Sequence, residues 1–227
     1  MASQADSVVQ PRLPLSRERV LEAAIALADE GGIESLTMRR LAQELGVEAM
    51  TLYYYVANKD EILGGIVDLV VGEIELPAPD AAWKPAIRKT ALSAYDVLLR
   101  HPWAANLVLS GPTMSQARVR YMNSLLGSLR HGGFSAEETD HAYHALDSHI
   151  MGFALWEVGI MTGLANLGDL VTTFLQELDV DAYPHLAEHA QQHLKERSPD
   201  DEGSFAFGLD LILDGLERIR DTASANA

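Results

Sequence analysis

The chain has 227 residues, of which 48% are hydrophobic, enough to form one large domain or two small ones. It contains no cysteine, which excludes disulfides, thiolate metal sites and cysteine nucleophiles. No apolar run approaches the ~18 residues that a membrane span needs. The polar start, from Met1 to Pro14, also lacks the apolar stretch of a secretory signal. We therefore expect a soluble cytoplasmic protein with no membrane partner.

The formal net charge of −16 is distributed unevenly along the chain. Residues 1–63 carry 6 basic and 10 acidic side chains, residues 64–130 carry 7 and 5, and residues 131–227 carry 4 and 18. Basic domains are typical of nucleic-acid binding, so composition alone does not indicate that function. Any such contact has to come from a few basic groups placed together in the first part of the chain.

Apolar residues recur at intervals of three and four, without the alternation of a half-buried strand, which predicts an all-α fold. Ser16 is a suitable N-cap for the first helix, which should stop at the Gly31-Gly32 pair. Gly46 is a suitable left-handed residue after the second helix. Asn58 and Glu61 have capping-box spacing at the start of the fourth. The first four helices are predicted over residues 16–31, 37–46, 48–56 and 58–76.

The sequence Pro77-Ala78-Pro79-Asp80 is the clearest break in the chain. Further helices are predicted over residues 83–100, 102–109, 114–130, 136–162, 167–178, 184–197 and 205–220. The expected organisation is a flexible N-terminal arm (1–15), a three-helix helix-turn-helix domain (16–63), a connecting helix and linker (64–79), a larger helical domain (80–220) and a tail (221–227). No internal repeat is apparent.

The third predicted helix would expose an unusual set of side chains. Leu52 and Val56 are spaced to pack inward, against Leu41 and Leu45 of the second helix. The side chains left outside are Met50, Thr51, Tyr54 and Tyr55, with Tyr53 at the flank. Such a patch has no purpose in an isolated monomer. It suits a helix whose first residues enter a DNA major groove while tyrosine hydroxyls reach phosphates.

Three stretches carry a family resemblance: LTMRRLAQELGV (36–47), TLYYYV (51–56) and NKD (58–60). With the turns between them, they resemble the N-terminal domain of the TetR family of transcriptional regulators. The resemblance spans roughly residues 16–76. It implies a helix-turn-helix that binds double-stranded operator DNA.

The resemblance also implies roles for individual residues. Arg39 matches a position that often reads a base or a phosphate, and Ala49 and Met50 match positions that face base edges. Neither Ala49 nor Met50 can form bidentate hydrogen bonds, so their contacts should be apolar, for example with thymine methyl groups. The positions that hold the DNA backbone are Thr51, Tyr53, Tyr55 and Lys59, and Tyr54 matches a variable position facing the groove. Tyrosines at 54 and 55 depart from the commoner family pattern and leave the operator sequence open. The alternative is that these tyrosines cap an interface between domains.

The second part of the chain resembles a C-terminal domain of the tetracycline-repressor type. The stretches that carry this resemblance are LLRHPW (98–103), GFS (133–135), ALDS (145–148), GF (152–153) and FAFGLDLILDGL (205–216). It implies a homodimer that pairs through helices 136–162 and 205–220. The apolar stripe of Leu209, Leu213 and Leu216 fits either a core or a subunit interface, and we favour the interface. Gly152, Gly208 and Gly215 would allow helices to approach closely.

The same resemblance places an effector pocket between the fourth helix and the helices that begin near Trp83, Met114 and Ala136. Candidate lining residues are Tyr95, Trp103, Leu107, Met114, Tyr121, Met122, Leu125, Asp147, Met151 and Trp156. Their mixture of aromatic and sulfur-containing side chains suits a bulky, mainly apolar ligand. Each residue taken singly fits ordinary core packing as well or better. Leu107 and Trp156 stand where a metal-binding histidine and a carboxylate would be needed, so tetracycline–magnesium sensing is not expected, and no cofactor is assigned.

Two other classes of function are open to this sequence. His185, His189 and His193 are spaced by four residues, and such histidines can share a metal. They lie in an acidic region, where a solvated helix face explains them better. The chain has no HExxH pattern and no set of base, nucleophile and oxyanion donors, so a metal-dependent enzyme is not expected and no catalytic or metal-binding residue is assigned. A helical adaptor that binds a protein through the tyrosine patch is the remaining alternative. The favoured interpretation is a repressor that binds a palindromic operator and is released by a small effector.

Overall fold

A computed structural model describes residues 14–110, 114–163, 167–192, 194 and 203–225. These residues form eleven α-helices and one short 3-10 helix, with no β-strand among them, so the all-α prediction is confirmed. Nearly all of the predicted N-terminal arm lies outside the described residues. The chain divides into two compact units, residues 1–66 and 67–227, and the boundary falls within one helix. None of the helices in the described part of the chain is long and apolar enough to cross a membrane.

The described part of the first unit contains three complete α-helices, one 3-10 helix and the start of a fourth α-helix. They are α1 (Arg17–Gly31), the 3-10 helix Ile33–Ser35, α2 (Met38–Leu45), α3 (Ala49–Leu52) and the first half of α4 (Lys59–Gly72). The side chains of Val20, Ala24, Leu41, Leu52 and Ile66 are completely buried at the centre of this unit. Ser16 caps α1 as predicted, because its side chain accepts a hydrogen bond from the backbone N–H of Arg19.

The connection from α2 to α3 is a tight turn at Gly46. This residue has φ 65° and ψ 36°, and its N–H is bonded to the carbonyls at the end of α2. Only glycine adopts such a left-handed conformation without strain from a Cβ atom. At the other end of α2, the Thr37 side chain accepts a hydrogen bond from the N–H of Arg40. Both ends of α2 are therefore fixed by the sequence itself.

The predicted third helix is too long. Regular helix ends at Leu52, and residues 53–55 form a turn in which the N–H groups of Tyr54 and Tyr55 bond three residues back, to Thr51 and Leu52. Helix α4 also ends earlier than predicted, at Gly72. The N–H groups of Glu73 and Ile74 bond three residues back, and the next N–H, of Glu75, bonds to the Ser93 hydroxyl at 2.9 Å. The chain leaves the helix there, ahead of Pro77.

The second unit contains the end of α4 and seven further helices. They are α5 (Trp83–Arg100), α6 (Ala104–Ser110), α7 (Gln116–His131), α8 (Ala136–Gly163), α9 (Leu167–Glu177), α10 (Pro184–Gln192) and α11 (Gly203–Ala225). Helix α5 lies centrally and packs against α7, α8 and α11. Helix α11 continues to Ala225, well into the predicted tail. Most of the predicted last turn of α10 lies outside the described residues.

The structure overturns the prediction of a subunit interface for two of the three leucines, Leu209 and Leu213. Leu209 and Leu213 are completely buried within this single chain, and Leu216 is half-buried. They belong to the core because α11 turns this face towards α5 and α8. Gly208 does allow a close approach, since a Cβ atom there would lie 2.6 Å from Cε1 of His149. Apart from chain neighbours and the backbone of the same helix, no described atom lies within 4 Å of a Cβ built on Gly152 or Gly215.

Candidate functional site

The first candidate site is the recognition segment, residues 49–55, on the surface of the first unit. Its most exposed side chains are Met50 (71% exposed), Tyr54 (88%) and Tyr53 (48%). Ala49, Thr51 and Tyr55 are half-buried. The prediction had placed Tyr55 outward and Tyr53 at the flank. The turn after Leu52 changes this, because the helical periodicity on which that prediction depended stops there.

The opposite face of the recognition segment is anchored in the core. Leu52 is completely buried, and Val56 is nearly so. Large apolar and aromatic side chains therefore project from a rigid base into solvent, with Met50 and Tyr54 four residues apart. An exposed patch of this kind marks a surface for binding another molecule.

Two basic side chains of this unit form ion pairs, and two others are exposed near the recognition segment in sequence. Arg40 pairs with Glu30 at 2.9 Å, and Arg17 pairs with Glu61 at 3.3 Å. Arg39 and Lys59 are exposed, Arg39 on α2 and Lys59 at the start of α4. Glu61 also accepts a hydrogen bond of 2.7 Å from the N–H of Ala57. That bond, helped by Arg17, lowers the pKa of the Glu61 carboxyl, so Glu61 stays ionised and holds Arg17 in place.

The second candidate site is an internal cavity of the second unit, with a volume of about 30 Å³, room for one or two waters. It is lined by the apolar side chains of Val71, Ile74, Ala94, Leu98, Val108, Ile150 and Met151, and by Arg118, Tyr121 and Asp147. Tyr121, Asp147 and Met151 were predicted from the sequence. Six apolar residues were missed because apolar positions on a cavity wall have the same helical spacing as ordinary core positions, and Arg118 was missed because a single arginine in a helix carries no signal.

The remaining predicted effector residues do not line this cavity. Trp103 and Leu125 are buried in the core, and Leu107 and Met122 are half-buried. Met114 and Trp156 are mostly exposed. Tyr95 stacks on Phe205, with 4.0 Å between the ring centroids. A ligand at these positions would need a rearrangement of the second unit.

Three polar side chains, Arg118, Tyr121 and Asp147, also line the cavity. Arg118 donates a hydrogen bond from its guanidinium to the carbonyl of Val108. Burial raises the pKa of the Asp147 carboxyl, and the positive charge of Arg118 partly offsets this effect. Burial, with a contribution from Asp147, also raises the pKa of the Tyr143 hydroxyl to about 12. The same two causes raise the pKa of Tyr121 well above its usual range. Both tyrosines are therefore protonated donors at neutral pH.

The histidine series receives no support as a metal site. His185 and His189 are exposed on α10, and His193 lies outside the described residues. Within the described parts of the chain, no cluster of three or more histidine, aspartate or glutamate side chains is arranged to hold a metal ion.

Comparison with known proteins gives matches to both parts of the chain. The family model of bacterial regulatory proteins of the tetR family matches residues 20–66. The model of the tetracyclin repressor-like C-terminal domain matches residues 76–220. The HTH-type transcriptional repressor DrrR1 of Streptomyces coeruleorubidus is 34% identical over 217 residues, which cover 91% of this chain and 79% of that repressor.

Two solved structures share the fold over most of their length. The first is the TetR family protein ActR of Streptomyces coelicolor, in complex with actinorhodin. It has a TM-score of 0.73 at 27% identity and covers 92% of this chain and 99% of ActR. The second is BioQ with its double-stranded DNA operator, with a TM-score of 0.63 at 27% identity, covering 89% of this chain and 98% of BioQ. The sequence motifs, the helix-turn-helix and the matches over both units agree, and the chain belongs to the TetR family of bacterial transcriptional regulators.

Proposed function

We propose that this regulator is a cytoplasmic homodimer that represses transcription by binding a palindromic operator and is released by a small effector. The observation that carries the proposal is the recognition segment, where Met50 and Tyr54 are exposed while Leu52 between them is completely buried. This arrangement presents a rigid ridge of a size that the major groove admits.

The exposed residues of the recognition segment would contact different parts of the DNA, according to their side-chain chemistry. Ala49 and Met50 would make apolar contacts with base edges, since neither side chain donates a hydrogen bond. The hydroxyls of Thr51, Tyr53 and Tyr55 would reach the phosphates, as would the ammonium group of Lys59.

Tyr54 is the most exposed of these side chains and would face the groove. Arg39 would contact a base or a phosphate. The complex of BioQ with its operator supports DNA as the partner, because BioQ shares the fold of this chain.

A second copy of the chain is the partner that DNA geometry requires. One helix-turn-helix reads few base pairs, and two copies read half-sites about 34 to 36 Å apart. Helices α8 and α11 offer a surface for pairing, where Trp156, Phe207 and Leu211 are 53%, 69% and 59% exposed. Gly152 and Gly215 would let a partner helix approach this surface.

The internal cavity is the proposed effector site. The complex of ActR with actinorhodin supports a ligand in the body of such a fold. Val71 and Ile74, at the end of α4, line the cavity, and α4 begins in the DNA-binding unit. A ligand that enlarges the cavity would displace this part of α4. It would release the operator through its different affinity for the two conformations.

A gel-shift titration against the DNA upstream of the protein's own gene tests the proposal. The parent should bind specifically, with an affinity that falls as salt rises. Tyr54→Ala should bind at least tenfold more weakly, whereas Tyr183→Ala, which removes an exposed tyrosine from the second unit, should bind like the parent. Light scattering of the parent should give the mass of a dimer. Binding that is insensitive to both salt and sequence would contradict the proposal and favour an adaptor.

A further inference from the structure

We propose that the effector of this regulator is an organic acid whose ionised oxygen is received by Arg118 while its apolar body lies against α4, α5 and α8. This inference rests on the proposed function, because it concerns the same internal cavity. It adds the chemical class of the ligand, which neither the apolar lining nor the family determines.

The apolar part of the cavity determines the body of the ligand. The apolar lining includes Val71 of α4, Ile74 just after the end of α4, Ala94 and Leu98 of α5 and Ile150 of α8. A ligand that enlarges this cavity and occupies it gains about 25 cal/mol for each Å² of apolar surface removed from water. These side chains offer no hydrogen bond to a polar body, so the polar group of the ligand has to lie against Arg118, Tyr121 or Asp147.

Arg118 is held in position by the start of its own helix, α7. Its backbone N–H donates to the Ser115 hydroxyl at 3.2 Å, and its guanidinium donates to the carbonyl of Val108. That carbonyl is the guanidinium's one hydrogen-bond acceptor among the described residues. Arginine carries five N–H donors in a planar fork that matches a carboxylate or a sulfonate. Arg118 therefore has donors to offer to an incoming oxyanion.

The neighbours of Arg118 favour an acceptor on the ligand. Tyr121 lines the cavity beside it, and this phenol remains protonated because it is buried. Two of the three polar lining groups, Arg118 and Tyr121, are therefore donors. Asp147 is the one acceptor, and burial shifts its carboxyl towards the protonated form. An acid would accept hydrogen bonds from the guanidinium, with which Asp147 interacts only through its charge, whereas a cationic ligand would face Arg118 directly.

Two fluorescent probes with the same apolar body test the inference. 1-Anilinonaphthalene-8-sulfonate carries an acidic group, and N-phenyl-1-naphthylamine lacks it. Both are titrated into the parent, Arg118→Gln, Asp147→Asn and the control Arg100→Gln. Arg100 is an arginine of the same unit that pairs with Glu73 on the surface at 2.7 Å and does not line the cavity.

The ratio of the two affinities is the decisive quantity. In Arg118→Gln the preference for the sulfonate should fall about tenfold, as expected for the loss of a charge-assisted hydrogen bond. In Asp147→Asn it should rise severalfold, because a competing carboxylate is removed, and in Arg100→Gln it should stay unchanged. An unchanged ratio in Arg118→Gln would overturn the inference, and so would a failure of the parent to bind either probe. Cooperative thermal unfolding of each variant, with the circular dichroism spectrum of the parent, shows that the variants are folded.

A gel shift without any probe separates this inference from the proposed function. If the parent binds its upstream DNA but the ratio of the two probe affinities is the same in the parent and in Arg118→Gln, the proposed ligand class is wrong and the proposed function stands. If the ratio responds but no DNA is bound, the acid-binding cavity stands and the repressor is contradicted.

Discussion

Asp68 on α4 accepts a hydrogen bond of 2.6 Å from the backbone N–H of Ala117, in the first turn of α7. The first N–H groups of a helix have no partner within the helix, and a carboxylate there also interacts favourably with the helix dipole. Ser115 satisfies the next N–H, that of Arg118. The start of α7, which carries Arg118 to the cavity, is therefore tied to α4.

Asp68→Ala should destabilise the second unit by about 1 to 2 kcal/mol, because the buried Ala117 N–H loses its acceptor. Urea denaturation followed by circular dichroism measures the free energy of unfolding. Asp68→Asn keeps an oxygen acceptor and should lose less. Asp80→Ala removes an exposed aspartate from the same unit and serves as the control. Equal losses in Asp68→Ala and Asp80→Ala would show that the bond does not stabilise the fold.

Leu52→Ala and Tyr54→Ala should separate folding from binding within one short segment. Leu52 is completely buried, and removing such a side chain costs about 2 to 5 kcal/mol. Tyr54 is 88% exposed, so its removal should leave the free energy of unfolding within about 0.5 kcal/mol of the parent. Thermal unfolding of both variants checks this difference. A large loss of stability in Tyr54→Ala would mean that the tyrosine is part of the fold and not of a binding surface.

Asp147→Asn should stabilise the protein at neutral pH. Burial raises the pKa of Asp147 in the folded state above its unfolded value of 3.8. The folded state therefore binds more protons between these two pKa values, and stability is lost as the pH rises through the folded pKa. The asparagine variant lacks this loss. Its advantage in melting temperature should be absent at pH 3 and should grow up to pH 7. An advantage that is the same at every pH would contradict the burial of the charge.

Met50→Ala and Lys59→Ala should change DNA binding in different ways. Met50 would contact base edges, so its removal should alter the order of preference among operator variants. Lys59 would contact a phosphate, so its removal should weaken binding to all of them and reduce the slope of log affinity against log salt by about 1. A panel of operators with single base changes, titrated at several salt concentrations, distinguishes the two effects. Identical profiles would mean that one of the two assignments is wrong.

The sequence predicted the helices most accurately where the chain carries its own stop signals. Ser16, Thr37 and Gly46 set the boundaries of α1 and α2 through local hydrogen bonds and a left-handed turn. The end of α3 has no such signal. Tyrosine is not a residue type that stops a helix, so the sequence does not mark the end of α3. The helix ends early because the N–H groups of Tyr54 and Tyr55 bond to carbonyls three residues back.

The cavity was less predictable than the recognition segment. The recognition segment is local in sequence, so its exposed and buried positions follow from helical spacing as far as Leu52, where the helix ends. The cavity combines side chains from five helices, and Arg118 gave no signal as an isolated arginine in a helix. Leu209 and Leu213 show the same limit, because one apolar stripe serves a core or an interface equally well until its neighbours are known.

A footprint on the operator tests the central claim most directly. The parent, incubated with the DNA upstream of its gene and cut with DNase I, should protect two half-sites related by a twofold axis. Their centres should lie about 34 to 36 Å apart or a multiple of that spacing. Tyr54→Ala at the same concentration should leave the site open, and Tyr183→Ala should protect it. Protection that persists in Tyr54→Ala, or that covers a single half-site, would contradict a dimer docked through the recognition segment.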